Sequence, residues 1–580
     1  MKFKNFICLF SLLLFFSSIF SQQIEVLVSA DKEVYDYIYS EKHIMDFNYK
    51  TVSEAIYWTP NINLIHKGFP VTQAHFFING GSFEQVGIFI DDLKFNDIQT
   101  GHYNFDFAFT SLDIETVNVI KKGTTLFGSG SLNGLVNIKL KEIEKDSFQL
   151  ISEYGTYNTF YSALRAEKKF EDGGISISTE KSFSDGYYTD TDYYKDSVFL
   201  TGQYLKNKIY LGYDEKEYGA YDYYTPGKNM PSFEYVITRF GRIISEPVEG
   251  LELSTYIRTH SDVFTLNRDN PSYYQNNHLN LMYGGLVKYN YYIDSSKNFI
   301  LQYSWQREEI QSSKLGYHHR IKNAGLVSSY IAFFDNLKTN LNLAIENYDS
   351  YNSADLLPSL NINYDINNIE TSLYYSYSGR YPNFTELYYQ DPYNKGDSSL
   401  NPEKSHETGI GITVNLDKII FNTGGFYRMG FDIIDWAKNT PSDTIWQIKN
   451  IGKINAAGLN TGISVMPFEF MKLKVDYSYL DSYFSENYIS KYGLSYLKNK
   501  LSATLELSVL ETDLTLQYNY KSYINRDDVA NLLDIILSKK INNWLTASFK
   551  VNNALNYYFE EIKGIPAPER TMSGKIQIIF

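Results

Sequence analysis

Apolar and polar side chains alternate along most of the chain from about residue 145 to the end. A repeat of two is typical of β-strands whose two faces meet different surroundings. Both a soluble sandwich, which buries its apolar face against a second sheet, and a membrane barrel, which turns that face to lipid, produce this pattern. Clear examples of the apolar positions are Phe299, Leu301, Tyr303 and Trp305, and later Leu514, Leu516, Tyr518 and Tyr520.

Chain length and the last residues favour the membrane barrel. Residues 141–580 divide into about 22 strands if a strand and its connection take about 20 residues, and a barrel of that size has a lumen that is normally plugged. The segment 572–580 alternates up to a terminal Phe580, as the closing strands of bacterial outer-membrane barrels do. We therefore predict a membrane all-β fold, an antiparallel transmembrane β-barrel of about 22 strands over residues 145–580.

Residues 32–144 have a different pattern and predict a small mixed α/β domain inside the barrel lumen. A capping box of Thr51 and Glu54 starts a short helix that ends before Pro60. Short strands are predicted at 74–78, 86–90, 115–120 and 135–140, with glycine-rich turns between them.

The first residues are typical of a secretory signal peptide. Lys2 and Lys4 precede an apolar run at 7–16, which is too short to span a bilayer as a helix. We expect cleavage near Ser21, so that residues 1–21 form the signal; a retained membrane anchor is the alternative. The only cysteine, Cys8, lies in this segment, and we expect neither disulfides nor thiol metal sites in the mature chain.

Composition narrows the possible functions. Aromatic residues make up 17% of the chain, which suits the aromatic girdles of a membrane barrel. The net charge of −14 argues against a nucleic-acid partner, because such partners need basic patches. The chain has no Gly-x-Ser-x-Gly or His-Glu-x-x-His motif and no phosphate-binding loop, so we expect neither an enzyme nor a catalytic cofactor.

Two segments of the lumenal domain resemble the plug domain of TonB-dependent receptors. Residues 76–97 resemble a plug stretch with an Arg-Gly turn, although Asn79 stands where the family usually has arginine, which implies one charged tie fewer between plug and barrel. The stretches 380–405 and 553–570 are similar to barrel segments of the same family. In a second plug signature at 114–141, Phe127 stands in place of the common tyrosine. The other positions are held by Lys122, Gly123, Leu126, Gly128, Gly130, Gly134, Asn137 and Ile138.

The resemblance implies active import of a large, scarce nutrient across the outer membrane of a Gram-negative bacterium, driven by TonB. Residues 22–31 resemble a Ton box, the segment that pairs with TonB as an added strand; an ordinary first strand is the alternative. We expect a monomeric barrel surrounded by outer-membrane lipid. The residues expected to bind TonB are Ile24, Glu25, Val26, Leu27, Val28, Ser29 and Ala30.

Within the family, the ligand expected from the resemblance is cobalamin or a related corrinoid. Residues 80–86 and 99–106 resemble the apical plug loops that contact the corrinoid in cobalamin transporters. The alternative for the aromatic members of these loops is that they pack the plug against the barrel. A ferric-siderophore receptor is the rival of the same fold, and a passive porin or adhesin is the rival of another class. The expected substrate-binding residues are Ser82, Phe83, Gln99, Thr100, His102, Tyr103 and Asn104.

An acidic outer loop resembles the calcium-binding loop of cobalamin transporters. Ca²⁺ prefers several hard oxygen ligands, which carboxylates supply. A solvated acidic loop without a metal is the alternative. The candidate calcium ligands are Asp185, Asp190, Asp192, Asp196, Tyr213 and Asp214.

Overall fold

We examined a computed structural model of the chain. The structure describes residues 36–128, 131–334, 336–484, 488–491, 497–524 and 526–580. The expected signal peptide at 1–21, the Ton-box-like segment with Ile24 to Ala30, and Gly130 of the plug signature lie outside the described residues. Strands are numbered β1 to β35 in chain order.

The N-terminal domain combines a five-stranded sheet, in the order β1-β6-β7-β4-β5, with a separate β2–β3 hairpin. Thr51 caps α2 with the predicted capping box to Glu54. Single-turn 3-10 helices lie at Phe83–Gln85, Gly101–Tyr103 and Ser111–Asp113. The strands and helices are β1 (Tyr37–Ser40), α1 (Glu41–Asp46), α2 (Val52–Ile56), β2 (Ile62–Lys67), β3 (Gln73–Ile78), β4 (Gly87–Ile90), β5 (Leu93–Lys94), β6 (Ile114–Ile120) and β7 (Leu135–Leu140).

The rest of the chain closes into an antiparallel barrel that has 22 strands among the described residues, which confirms the predicted fold class. The last strand pairs with the first through Ser573 and Gly155. The barrel strands are β8 (Ser147–Gly155), β9 (Thr159–Phe170), β10 (Gly173–Ser184), β11 (Tyr193–Tyr204), β12 (Asn207–Gly219), β13 (Phe233–Val248), β14 (Leu251–Thr265), β15 (Gln275–Asp294), β16 (Lys297–Ser312), β17 (Gly316–Phe333), β18 (Leu337–Tyr348), β19 (Asp355–Ile366), β20 (Ile369–Arg380), β22 (Glu403–Leu416), β23 (Ile419–Phe431), β26 (Lys453–Phe468), β27 (Met471–Phe484), β29 (Leu497–Val509), β30 (Thr512–Tyr523), β31 (Val529–Asn542), β32 (Leu545–Asn552) and β35 (Thr571–Ile579).

Strand β18 distinguishes a membrane barrel from a soluble sandwich. Its apolar side chains Leu341, Leu343 and Ile345 point outward and are 52%, 43% and 50% exposed. Their neighbours Asn342 and Glu346 point into the lumen and are buried. An apolar outer face around a polar interior is the arrangement of a barrel whose wall contacts lipid.

The two rims of the barrel differ. One rim is built from turns of about two residues, such as 367–368 between β19 and β20, where Asn367 has a positive φ of 52°. The other carries long connections, including 220–232, 381–402, 432–452 and 553–570. Short turns are typical of the periplasmic side and long loops of the extracellular side.

The long loops contain secondary structure of their own, which sequence patterns did not predict. One four-stranded sheet, in the order β21-β25-β24-β28, joins three different loops. Among the described residues, no helix is long and apolar enough to span a membrane. The loop elements are α3 (Phe384–Tyr388), β21 (Asn394–Lys395), β24 (Ile434–Lys438), β25 (Trp446–Asn450), β28 (Ile489–Ser490), β33 (Glu560–Ile562) and β34 (Ile565–Pro566).

Candidate ligand-binding vestibule

The apex of the lumenal domain carries a compact stack of aromatic rings. Phe83 packs against the imidazole of His75, with ring centroids 4.2 Å apart and planes 14° apart. It also packs against His102 at 4.9 Å, and Tyr224 of a barrel loop meets His102 edge-on at 5.4 Å. Phe83 is buried, whereas His102 and the neighbouring Ser82 are only half-buried. We call His75, Phe83, His102 and Tyr224 the aromatic floor.

The two histidines of the floor form a hydrogen-bonded pair. His102 Nδ1 lies 2.6 Å from His75 Nε2. Burial lowers the pKa of both imidazoles well below the usual value, and Lys67 lowers both further, with Lys491 adding to the effect on His102. Both rings are therefore neutral at neutral pH, and each can donate one N–H and offer one lone pair.

The other expected substrate-binding residues are engaged in packing or in hydrogen bonds within the protein. Gln99 accepts from Asn280 of β15 at 2.9 Å, and the Tyr103 hydroxyl donates to Glu234 of β13 at 3.5 Å. Thr100 Oγ1 donates to Glu84 at 3.2 Å. Asn104 Oδ1 accepts from the backbone of Asp97 at 2.9 Å. In this conformation these side chains hold the plug apex together and to the wall, and only Ser82 and His102 are partly accessible.

A second set of aromatic rings and lysines runs through the extracellular loops above the floor. The ammonium of Lys314 lies 4.4 Å from the ring centroid of Tyr274, whose hydroxyl is 3.2 Å from that of Tyr389. The Tyr389 ring meets Trp436 edge-on at 6.4 Å. All members are half-buried. We call the whole set the aromatic–lysine chain; it consists of Tyr274, Lys314, Tyr389, Trp436, Lys438, Trp446 and Lys491.

Lys491 connects the loops to the plug apex. Its ammonium lies 5.7 Å from the ring centroid of Trp436 and 6.0 Å from that of Trp446. It is also near enough to the plug to lower the pKa of His102, and it lowers that of Lys67, which burial brings down to about 7. Lys438 approaches the far side of the chain, 4.6 Å from the ring centroid of Trp446. Cations and aromatic faces therefore alternate from the loop surface down to the floor.

The acidic loop does not assemble as one calcium site. Asp192 is held by Arg268 through contacts of 2.5 and 3.1 Å, and Asp190 contacts the same guanidinium at 3.3 Å. Asp185 is exposed at the end of β10. Arg268 supplies the positive charge that a cation would have brought to Asp190 and Asp192.

The expected ligands on the strands lie on different faces of the wall. Asp214 faces the lumen, where Ser197 donates to it and Lys195 lies 3.4 Å away. Tyr213 and Asp196 face outward and contact Glu215 and Tyr194. Adjacent residues of a strand point to opposite faces, so Tyr213 and Asp214 cannot share one ion. Within the part of the chain that the structure describes, no group of three or more His, Cys, Asp or Glu is arranged to hold a metal ion. We therefore correct the six-ligand interpretation and assign no step to calcium.

The plug position where the family usually has arginine is tied to the wall in another way. Asn79 donates to the backbone of Lys121, and its own carbonyl accepts from Arg428 of β23 at 2.9 Å. Arg428 lies 3.7 Å from Glu407 in the same wall. The arginine that meets the plug here therefore belongs to the barrel, and the expected loss of a charged tie is offset by a cationic donor to the plug backbone.

Sequence reasoning did not find the aromatic–lysine chain. Its members come from five connections between barrel strands, and none has a fixed spacing from the next. The available signal was only that each loop contains a tryptophan, a tyrosine or a lysine, which is also true of loops with no such contact.

Two family models match the chain. Residues 32–135 match the TonB-dependent Receptor Plug Domain, and residues 334–570 match the Outer membrane protein beta-barrel family. No curated protein matches the chain.

Solved structures of transporters and receptors share the fold. The copper transporter OprC is 13% identical with a TM-score of 0.78, covering 91% of this chain and 95% of its own. The FrpB iron transporter from Neisseria meningitidis (F3-3 variant) is 14% identical with a TM-score of 0.77, covering 94% and 99%. The ferric enterobactin receptor PfeA is 13% identical with a TM-score of 0.73, again covering 94% and 99%.

These matches agree with the architecture. A plug precedes a closed barrel with an apolar outer face, and the molecule is an outer-membrane protein of a Gram-negative bacterium. The chain belongs to the TonB-dependent receptor family.

Proposed function

We propose that this receptor imports a large, anionic metal chelate of the siderophore class, using energy delivered by TonB. The observation that carries the proposal is the aromatic–lysine chain above the aromatic floor. Lysines repel free metal cations but attract the negatively charged oxygens of a chelate. Aromatic faces supply stacking surface for a ligand that itself contains rings.

The surroundings of the floor support an anionic ligand. Lys67 Nζ lies 4.5 Å from the ring centroid of Tyr224, and Lys491 approaches the same region from above. The neutral histidine pair uses one N–H in its own hydrogen bond and has one left for a ligand oxygen, which adds no charge that must be desolvated. A few placed polar groups in a mainly aromatic recess are typical of small-molecule sites.

The names of the structural neighbours point the same way. FrpB is named as an iron transporter and PfeA as a ferric enterobactin receptor. At 14% and 13% identity they share the fold, and the ligand assignment rests on the residues of this chain.

The route of import follows from the plugged barrel. A closed plug prevents diffusion of a large solute, and the outer membrane has no nucleotide supply. In the proposed cycle, binding shifts the population in which residues 24–30 reach TonB, which pairs with them as an added strand and pulls on the plug. Deleting residues 24–30 is expected to abolish uptake and leave binding unchanged; uptake that persists would contradict this cycle.

A corrinoid is the second candidate ligand, because residues 80–86 and 99–106 resemble corrinoid-binding plug loops. For this ligand Gln99, Tyr103 and Asn104 would have to leave their present partners, whereas His102 and Ser82 are already partly accessible.

The decisive experiment measures binding of the purified receptor to a ferric tris-catecholate, a ferric tris-hydroxamate, haem and cyanocobalamin, each with and without Ca²⁺. Quenching of tryptophan fluorescence reports binding because Trp436 and Trp446 belong to the aromatic–lysine chain. We expect the ferric tris-catecholate to bind most tightly. The Lys491→Gln substitution should weaken binding of this chelate about tenfold, which is about 1.4 kcal/mol.

A matched control is Lys206→Gln, because Lys206 lies in a two-residue turn at the opposite rim. It should bind like the wild type. Calcium-dependent binding of cyanocobalamin alone would favour the second candidate, and binding of no chelate would overturn the proposal.

A further inference from the structure

One extracellular loop, 381–402, extends from the aromatic–lysine chain to the plug and forms hydrogen bonds with it directly. The backbone N–H groups of Phe384 and Thr385 donate to the carbonyls of Ile98 and Gln99, each at 3.0 Å. These contacts lie at the start of α3, whose first turn is held by a capping box of Asn383 and Glu386. The loop is therefore attached to the plug apex by its main chain as well as by side chains.

Glu84 of the plug accepts hydrogen bonds both from the 381–402 loop and from the plug itself. Its Oε2 accepts from the side-chain amide of Asn383 at 2.8 Å. The same carboxylate accepts from the backbone of Gly101 at 2.9 and 2.8 Å and from the hydroxyl of Thr100 at 3.2 Å. A Cβ on Gly101 would lie 2.8 Å from Glu84 Oε2, so the carboxylate is in tight contact with the plug loop.

The other end of α3 lies beside the aromatic–lysine chain. Tyr388 stacks on His318 with ring centroids 3.6 Å apart, and Tyr389 belongs to the aromatic–lysine chain. Five residues of helix therefore separate a ligand-facing end from a plug-facing end.

The plug loop that Glu84 holds leads to the ion pairs between plug and barrel. Within this loop, the Asp97 backbone N–H donates to Asn104 and the Asp97 carboxylate accepts from the Gln99 N–H. The same carboxylate pairs with Arg258 of β14 at 3.2 Å. A displacement of α3 is thus passed through Asn383 and Glu84 to the residues that anchor the plug.

We propose that Glu84 and Asn383 are positioning residues that transmit ligand binding from the α3 loop to the plug. The inference rests on the proposed function in that Tyr389 is taken to contact the ligand. We call the contact from α3 through Asn383 to Glu84 the link. Coupling requires that the ligand stabilise one arrangement of the link over another. Glu84 and Asn383 then govern transport without determining affinity.

The test uses a substitution that removes the link and keeps the helix cap. Asn383→Asp retains the oxygen that accepts from the Glu386 N–H, but it loses the amide donor and places a second carboxylate against Glu84. Adding Glu84→Gln supplies an amide on the plug side and restores a hydrogen bond with reversed polarity. Desolvation, with Glu386 nearby, raises the pKa of Glu84 to about 7, so Glu84→Gln changes the charge only partly.

Asn352→Asp is the matched control. Asn352 is exposed in the connection between β18 and β19, and its side chain has no hydrogen bond to another described residue. All variants are compared as full-length receptors in cells that supply TonB, at equal surface amounts and with the folded barrel verified by its heat-modifiable gel mobility.

Three quantities are measured, namely affinity for a ferric tris-catecholate, uptake of radioactive iron from that chelate, and hydrogen exchange of residues 97–104 without ligand. For Asn383→Asp we expect affinity within about threefold of the wild type, uptake at least about tenfold slower, and faster exchange. The double variant should recover both uptake and slow exchange, and Asn352→Asp should match the wild type. A single variant with normal uptake, or a folded double variant that does not recover, would overturn the link.

Binding by the wild-type receptor tests the proposed ligand, and hydrogen exchange tests the link independently of it. A wild-type receptor that binds no chelate overturns the ligand assignment. In that case hydrogen exchange still judges the link, since unchanged exchange of residues 97–104 in Asn383→Asp overturns it, and faster exchange that Glu84→Gln reverses supports it.

Discussion

The plug is held by two walls of the barrel that differ in whether ion pairs join the barrel to the plug. On the wall from β29 to β35, lysines donate to backbone carbonyls of the plug. Lys500 Nζ reaches the carbonyls of Tyr57, Thr59 and Ile62 at 2.7, 2.8 and 3.0 Å. Lys575 reaches the carbonyl of Met45 at 3.1 Å. We call this the lysine wall.

On the wall from β12 to β15, donors to plug carbonyls are joined by ion pairs between charged side chains. Asp106 of the plug lies 2.7 Å from Lys216, and Asp97 lies 3.2 Å from Arg258 and 3.5 Å from His260. Some of these buried atoms have no hydrogen-bond partner among the described residues, including Arg258 Nε and Nη2. We call this the ionic wall.

The two walls are expected to release the plug at different stages. Backbone carbonyls are present whatever the plug side chains are, and the Lys500 ammonium meets three of them. The ionic wall buries charges whose desolvation is only partly compensated. We therefore expect the plug to separate first from the ionic wall, which is also the wall that the link through Glu84 reaches.

The largest expected effect comes from removing one partner of the ionic wall. Arg258→Leu leaves Asp97 buried without its main counter-charge and should lower the free energy of plug unfolding by about 3–5 kcal/mol. The urea midpoint of hydrogen exchange in β6 and β7 measures this. An unchanged midpoint would show that the pair contributes nothing to anchoring.

A smaller effect is expected on the lysine wall. Lys500→Met removes three hydrogen bonds but also removes a buried charge, and it should cost about 1–3 kcal/mol in the same measurement. Lys539→Met is the control, because that ammonium donates to the carbonyl of Leu510 in a periplasmic turn, away from the plug. A loss for Lys500→Met larger than that for Arg258→Leu would reverse the comparison.

A still smaller effect is expected when both partners of the ionic wall are replaced. Arg258→Leu combined with Asp97→Asn leaves no unpaired charge, and the new amide oxygen can still accept from the Gln99 N–H. The loss relative to the wild type should fall to about 1 kcal/mol or less. Additive losses from the two substitutions would contradict a direct pairing of the two side chains.

The smallest effect is expected from pH. Burial raises the pKa of Asp106, but Lys216 and His260 outweigh it and hold that pKa below the usual value. Because the folded pKa is depressed, the pair stabilises the plug above the unfolded pKa of about 3.9 and loses this contribution as pH falls through the folded value. Exchange of residues 105–109, normalised for intrinsic rates, should therefore be constant from pH 7 to pH 5 and rise only below about pH 4. A rise between pH 7 and pH 5 would contradict the depressed pKa.

Much of the fold follows from local rules in the chain. The alternation in β18 and the terminal Phe580 predict barrel strands, and the capping box of Thr51 predicts α2. Four predicted plug strands are present as β3, β4, β6 and β7, whereas β1, α1, β2 and β5 were missed. The shortest missed strands, β1 and β5, have four and two residues, and so short a segment shows no clear period.

The candidate site depended on more than the local pattern. Phe83 and Tyr103 carry the residue types of a stacking surface, but packing buries both. Tyr213 and Asp214 are neighbours in sequence and face opposite sides of β12, a consequence of strand geometry that the sequence interpretation overlooked.

Local patterns in the chain are enough to specify a plugged barrel, because period-two alternation, turns and caps act over a few residues. The family was indicated separately, by the resemblance of the plug segments 76–97 and 114–141. Tertiary structure alone decided which loops meet above the plug. The aromatic–lysine chain and the contact of Asn383 with Glu84 join residues far apart in the chain, 299 positions apart in the second case. Barrel closure sets those distances through strand register and tilt, which no local window of sequence contains.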